Sequence, residues 1–317
     1  MTEVNLAVDV AGITMDNPVT TASGTYGFGL DYSRYYDVNL LGALTLKSIT
    51  LEKREGNPPP RIIETPAGIL NSIGLANPGL DRFLTEVIPS LEAVKIPVLA
   101  SIAGDTMGDY ALLAERLSQE PKIAGLEVNI SCPNVKKGGL EFGVDTVQVK
   151  KLVQAVRSST DLPLIIKLSP NVTDITAIAR SAVEGGADAL ALINTLQGMK
   201  IDIHTRKPCM ANKVAGLAGP AVKPIGVRMV WQVAQAVNVP IIGMGGICTT
   251  EDALEYIMAG ATSVAVGTCN FVNPMAPVEI IQGLYDYCIN KGIKDINELV
   301  GCSFKRMLRG KNVGSKR

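Results

Sequence analysis

Pro18-Val-Thr-Thr-Ala-Ser-Gly-Thr-Tyr-Gly-Phe-Gly29 is the stretch on which the fold turns. The apolar run that follows the proline reads as a first strand, Pro18–Ser23, and the glycines behind it as a loop. A doubly wound dinucleotide-binding sheet would carry G-x-G-x-x-G after its first strand. That spacing is missing here, so the rival architecture, a closed barrel of β/α units, is the expectation.

Seven further short apolar runs follow at the spacing a barrel needs: Ala43–Ser48, Val98–Ile102, Leu126–Ser131, Leu164–Ser169, Ala189–Thr195, Pro240–Gly245 and Ser263–Thr268. Segments of helical period lie between them, clearest over Leu80–Val94, Tyr110–Gln119, Thr146–Ser158, Ile175–Gly185, Val222–Val237 and Glu251–Ala259. Asp174 and Thr250 are the expected N-caps of the fifth and last of these helices. Eight such units in 317 residues predict a TIM (β/α)8 barrel, with residues 1–317 forming a single domain. Val4–Thr14, alternating about an Ala-Gly turn, predicts an N-terminal hairpin ahead of it. Thr50–Pro78 and Leu196–Pro220 are two long inserted loops at the barrel mouth.

Composition excludes several function classes. Lys plus Arg and Asp plus Glu both number 30, which gives no general attraction to nucleic acid or anionic lipid. Aromatic residues are only 4%, too few for base-stacking platforms. The amino terminus lacks a signal-peptide pattern and no apolar run approaches membrane-spanning length. The cysteines are scattered without a C-x-x-C pair, so reduced thiols and a cytoplasmic location are expected, with no metal site in this chain. His204, the single histidine, stands in a polar loop.

A barrel places its active site at the carboxyl ends of its strands. Those ends carry Ser23, Lys47 and Ser48, Ser101, Asn129 and Cys132, Lys167, Asn194 and Thr195, Gly245 and Gly246, and Gly267 and Thr268. A lysine late in an apolar strand is costly unless its charge is used. Lys47 and Lys167 on different strands therefore point to a shared anionic ligand. Ile241-Ile-Gly-Met-Gly-Gly-Ile247 and Val264-Ala-Val-Gly-Thr268 stand where barrels commonly bind phosphate through bare backbone N–H groups. Lysines without a histidine cluster, a carboxylate pair or a Walker pattern favour a phosphate-bearing organic cofactor over a metal.

Four motifs then carry a family resemblance. Asn129-Ile-Ser-Cys-Pro-Asn-Val-Lys-Lys-Gly-Gly139, Arg54-Glu-Gly-Asn-Pro-Pro-Pro-Arg61, Asn71-Ser-Ile-Gly-Leu-Ala-Asn-Pro-Gly79, and Thr205-Arg-Lys-Pro208 followed by Ala211-Asn-Lys213 resemble class 1 dihydroorotate dehydrogenases over essentially the whole chain. The resemblance implies an FMN in the barrel mouth and oxidation of dihydroorotate to orotate in pyrimidine synthesis. It implies Cys132 as the base that takes the C5 proton while a hydride leaves C6 for the flavin. Lys47 would touch flavin and substrate, and Lys167 would lie by the N1 side of the flavin. Asn71, Ser72, Ile73, Gly74, Leu75, Asn129, Asn194 and Thr195 would bind the substrate. Ser23, Ser48, Ser101, Asn129, Ile193, Gly219, Gly245, Gly246, Gly267 and Thr268 would line the FMN.

The segment Glu55–Gly68 and the residues after Cys132 look more like the NAD-linked kind of the family (class 1B) than the fumarate-linked homodimeric kind. The NAD-linked kind joins a homodimer of this chain to an electron-transfer subunit, as a heterotetramer. This chain has no cysteine spacing for a cluster and no dinucleotide fingerprint, so FAD and a [2Fe–2S] cluster would belong to that partner. Fumarate as acceptor stays open. A dihydrouridine synthase, another FMN barrel with cysteine beside asparagine, would have to hold tRNA, for which the neutral charge is unsuited. A non-catalytic scaffold would need none of Cys132, Lys47 and Lys167.

Overall fold

Strands buried on both faces are largely apolar along their length, and so are the buried residues of the eight runs, apart from hydroxyls, Asn129 and the charged Glu127 and Lys167. The structure, a computed structural model, describes residues 4–130 and 142–304. In it the runs become β1 (Val19–Thr21), β2 (Leu44–Thr45), β3 (Val98–Ile102), β4 (Ile123–Asn129), β5 (Leu164–Lys167), β6 (Ala189–Leu192), β7 (Ile241–Met244) and β8 (Ser263–Val266). All are parallel, in the order β1-β8-β7-β6-β5-β4-β3-β2. Each is shorter than the apolar run containing it, except β3, which matches, and β4, which begins earlier. The expected polar ends of the strands belong to the loops above the sheet.

Between β1 and β2 the barrel is closed largely by threonines. Thr20 Oγ1 donates to Ala43 O at 2.9 Å, Thr21 Oγ1 donates to Thr45 O at 3.0 Å, and Thr45 N donates to Thr21 Oγ1 at 3.0 Å. Gly42 N adds a bond to Val19 O at 2.9 Å. A Cβ on Gly42 would stand 1.9 Å from Asn17 O, so only glycine lets the two chains approach here. The hairpin Val8–Val10/Ile13–Met15 buries Val8, Val10, Ile13 and Met15 against the barrel, with Ile13 packed on Gly125 early in β4.

The helices are α1 (Met107–Leu117), α2 (Thr146–Arg157), α3 (Ile175–Glu184), α4 (Lys223–Ala236), α5 (Thr250–Ala259), α6 (Cys269–Val272) and α7 (Ala276–Lys291). Thr106 with Asp109 and Thr249 with Asp252 form reciprocal capping boxes at α1 and α5. Asp174 caps α3 as expected, whereas the cap of α5 is Thr249, with Thr250 already helical. The expected helix from Leu80 to Val94 ends at Ser90 and contains a π turn, Phe83–Val87, just ahead of Pro89, which has no N–H to donate. Helix α7 had no counterpart among the sequence expectations.

The two inserts are a sheet, not loose loops. Ile62–Thr65, Gly68–Asn71, Ala215–Ala218 and Leu196–Gly198 pair antiparallel across the barrel mouth. This sheet places Asn71 opposite Gly216 and forms one wall of the cavity described next.

Candidate active site

Above the carboxyl ends of the strands lies a cavity of about 580 Å³. Its floor and walls bring together Ser23, Lys47, Ser48, Asn129, Lys167, Ile193, Asn194, Thr195, Gly245, Gly246, Gly267 and Thr268 from seven strand ends. The insert sheet and its loops add Asn71, Ser72, Ile73, Gly74, Leu75 and Gly219. Of the residues expected in the site, Ser101 does not line the cavity. It is fully buried, its hydroxyl oxygen 2.7 Å from that of Ser48, in register with Glu127 on β4 below the cavity lining. Cys132 lies outside the described residues.

On the floor, Lys167 at the end of β5 is almost fully buried. Its Nζ donates to Ser23 Oγ at 3.1 Å and stands 3.4 Å from Glu127 Oε1. Ser23 Oγ in turn donates to Glu127 Oε1 at 2.7 Å. Lys47, half-buried at the end of β2, is anchored through its backbone N–H to Gly27 O at 2.8 Å. The loop carrying Gly27 is held by buried Tyr26, which donates to Tyr36 Oη at 2.8 Å and stacks on Tyr32. Burial pushes the Tyr26 phenol well above its ordinary value and that of Tyr36 up to about 12, so both stay neutral.

A second group is a ring of side-chain amides. Asn194 Nδ2 donates to Asn129 Oδ1 at 3.3 Å, and Tyr110 OH donates to Asn129 O at 2.8 Å. Asn71 Nδ2 donates across the insert sheet to Gly216 O at 3.0 Å. Sequence reasoning missed three amides beside these. Asn171 Nδ2 donates to Thr195 O at 3.0 Å while its Oδ1 accepts from Gln197 N at 3.0 Å. Asn212 Nδ2 donates to Ser72 Oγ at 3.3 Å, and both Asn171 and Asn212 face the cavity. Buried Asn77 accepts from Thr50 N and Gly79 N and donates to Leu75 O at 2.7 Å, pinning the Asn71–Leu75 loop. In the sequence only the turn chemistry of Asn77-Pro78-Gly79 hinted at this.

The third group is backbone. Gly245 and Gly246 have φ of +120° and +75°, and a Cβ on Gly246 would lie 2.7 Å from Gly219 O. The same Cβ would lie 2.9 Å from Lys223 Cβ, so position 246 has no room for a side chain. Lys223 is tied to Asp252 at 2.7 Å and to Glu255 at 2.8 Å. Burial opposes the charge on Asp252, yet the Lys223 ammonium and the Cys248 and Thr249 amides overcome it and hold the carboxyl below its usual range. A bare glycine cradle, a buried lysine with polar neighbours and a ring of amides fit a phosphate-bearing planar cofactor with a small amide-and-carboxylate ligand stacked on it.

The chain matches the family model described as dihydroorotate dehydrogenase over residues 5–287. It is 56% identical over 301 residues to a protein of Desulforamulus reducens named dihydroorotate dehydrogenase B (NAD(+)), catalytic subunit, covering 95% of this chain and 99% of that one. A protein of Desulforudis audaxviator with the same name is 55% identical over 303 residues, covering 96% and 99%. Among solved structures, that of DHODH from Eimeria tenella in complex with ferulenol superimposes with a TM-score of 0.78 at 25% identity, covering 95% of this chain and 89% of that one.

Proposed function

The chain belongs to the dihydroorotate dehydrogenase family, and from that premise we propose that it oxidises (S)-dihydroorotate to orotate in pyrimidine synthesis as the FMN-carrying catalytic subunit of an NAD-linked enzyme. The observation that carries the reading is the meeting of Lys47, Lys167, the amide ring and the glycine cradle in one cavity.

FMN, when bound, supplies the acceptor for the hydride that leaves C6 of the substrate. The chain's own residues do the rest. Gly219, Gly245, Gly246, Gly267 and Thr268 would hold the phosphate end, where bare N–H groups can meet an anion. Ser23, Ser48 and Ile193 would border the ring, and Lys167 would offer its ammonium to it. Asn71, Asn129, Asn194 and Thr195, with the Ser72–Leu75 loop, bind the substrate, since a carboxamide both donates and accepts along a pyrimidine edge. Lys47 offers a cation to the substrate carboxylate. Cys132 takes the C5 proton. In the sequence it follows Ile130, the last described residue after β4, by two positions. An ordinary cysteine is mostly protonated at neutral pH, so this base must be activated or the proton transfer concerted.

A partner subunit carrying FAD and a [2Fe–2S] cluster would pass the electrons on to NAD, two copies of each chain forming a heterotetramer. Support comes from the words "catalytic subunit" in the names of the relatives. Among the described residues, no group of three or more His, Cys, Asp or Glu could hold a metal ion, and no helix is long and apolar enough to cross a membrane. The free thiols of Cys209, Cys248, Cys269, Cys288 and Cys302 suit a reducing cytoplasm. The acceptor is tested by supplying NAD or fumarate to the FMN-loaded, dihydroorotate-reduced chain, with and without the co-expressed partner. NAD reduction only with the partner present is expected. Rapid reoxidation of the isolated chain by fumarate would contradict the NAD assignment.

A further inference from the structure

Glu127 is a buried acid that the chemistry above does not use. It sits in the middle of β4, only 2% exposed, and points to the same side of the strand as Asn129, two residues on. Asn129 reaches the cavity; Glu127 lies one layer deeper and does not line it. Its Oε1 nevertheless accepts from Ser23 Oγ at 2.7 Å and faces Lys167 Nζ at 3.4 Å, and both of those partners do line the cavity. The third side of the triangle is closed by Lys167 Nζ donating to Ser23 Oγ at 3.1 Å.

A carboxylate and an ammonium buried together are weak contributors to stability, because desolvation offsets most of their attraction, and an apolar pair of like volume often serves the fold as well. Among the described residues, Glu127 and Lys167 are the only charged side chains that are buried. A charged pair retained directly beneath a binding cavity points to a function for the charge. The geometry also limits what Glu127 does. With its hydroxyl proton directed at the carboxylate, Ser23 offers a lone pair to Lys167, so the ammonium is held from two sides at a fixed place on the floor.

We propose that Glu127 is a positioning residue that fixes Lys167 at the cavity floor and tempers the positive charge this lysine presents to the bound flavin. The proposal rests on the functional reading above. A reduced flavin is richer in electrons than an oxidised one, so a nearby cation favours the reduced form. A carboxylate 3.4 Å behind that cation cancels part of the effect. Removing the carboxylate's charge leaves the ammonium less compensated, and the reduced form gains.

The test is the Glu127→Gln variant, loaded with FMN and titrated anaerobically against redox dyes, so that no substrate is needed. The expected result is an FMN content close to that of the unaltered protein and a preference for the reduced flavin increased at least tenfold, an upward shift of about 30 mV for a two-electron couple. Glu127→Asp withdraws the carboxylate by one methylene and should shift the potential in the same direction by less; it replaces the glutamine variant if that does not fold. An unchanged potential in the folded variant would overturn the proposal. Failure of dihydroorotate to reduce the unaltered FMN-loaded protein would instead strike the functional reading and leave the potential measurement standing. An unaltered protein that takes up no FMN would overturn both.

Discussion

At the scale of single residues, the cradle of Gly219, Gly245 and Gly246 states its requirement most sharply. Gly246 combines a φ of +75° with neighbours that would meet any Cβ within 3 Å, among them a backbone carbonyl that cannot swing aside. Gly246→Ala is therefore expected to hold FMN more weakly by one to two orders of magnitude, as backbone strain of roughly 1–3 kcal/mol implies. Equilibrium titration of the flavin-free protein measures it; unchanged affinity would show that the loop is not the phosphate site. Gly245 and Gly246 were legible as candidates because they stand at a glycine-rich strand end late in the barrel, whereas Gly219 was named only through the family resemblance. Lys47 and Lys167 were legible too, each out of place at the end of an apolar strand. Glu127 was not legible. One acid in Leu-Glu-Val-Asn looks like an ordinary solvated strand residue until the curvature of the barrel turns it inward. Nor was the depth of Ser101 legible, since alternation along a strand does not say how deep a side chain sits.

At the scale of elements, the seam between β1 and β2 and the start of α5 make contrasting predictions. Thr21→Val keeps the volume at the seam but leaves Thr45 N and Thr45 O without the hydroxyl that serves both. Each buried polar group so stranded costs about 1–3 kcal/mol, and the variant should unfold at correspondingly lower denaturant. A midpoint matching that of the unaltered protein would mean that the seam is held elsewhere. Asp252 closes the capping box of α5 and pairs with Lys223 behind the cradle. Its carboxyl is held below the usual range, so the stability it contributes is present above the ordinary aspartate value of about 3.9 and is lost as pH falls through the lower folded value. Asp252→Asn should therefore be less stable than the unaltered protein at neutral pH, with the gap closing in strong acid. A gap that did not change with pH would assign the loss to packing. The fault at this cap was local: Thr249 and Thr250 are adjacent, and only the bond from Asp252 N to Thr249 Oγ1 separates cap from first turn. The insert sheet was invisible for a different reason, because Asn71 pairs with Gly216 across 145 positions and no local pattern announces that register.

At the scale of the whole molecule, the barrel order joins the first strand to the last, β1 to β8, so the amino- and carboxyl-terminal halves share one sheet. The Asn5 to Asp295 bridge and the bond from Asn5 N to Lys294 O tie the two ends together again. We propose on these grounds that the chain is one folding unit. Scanning calorimetry of the FMN-free protein should then show a single transition with matching calorimetric and van't Hoff enthalpies, moving upward as FMN is added because the ligand binds only the folded state. Two transitions, only one of them responsive to FMN, would divide the chain. The eight-unit rhythm was legible because each unit declares itself locally, while the residues that make the cavity reactive meet only after closure.

The central claim, that this cavity oxidises dihydroorotate with Cys132 as base, is tested most directly by mixing the FMN-loaded chain with dihydroorotate in a stopped-flow cell without oxygen. The unaltered protein should bleach its flavin within the mixing experiment. Cys132→Ala should bind FMN equally well and bleach more slowly by about 10²–10⁴-fold, the usual worth of a positioned base. Bleaching at the unaltered rate in the alanine variant would remove Cys132 from the chemistry, and no bleaching by the unaltered chain would contradict the assignment of the substrate.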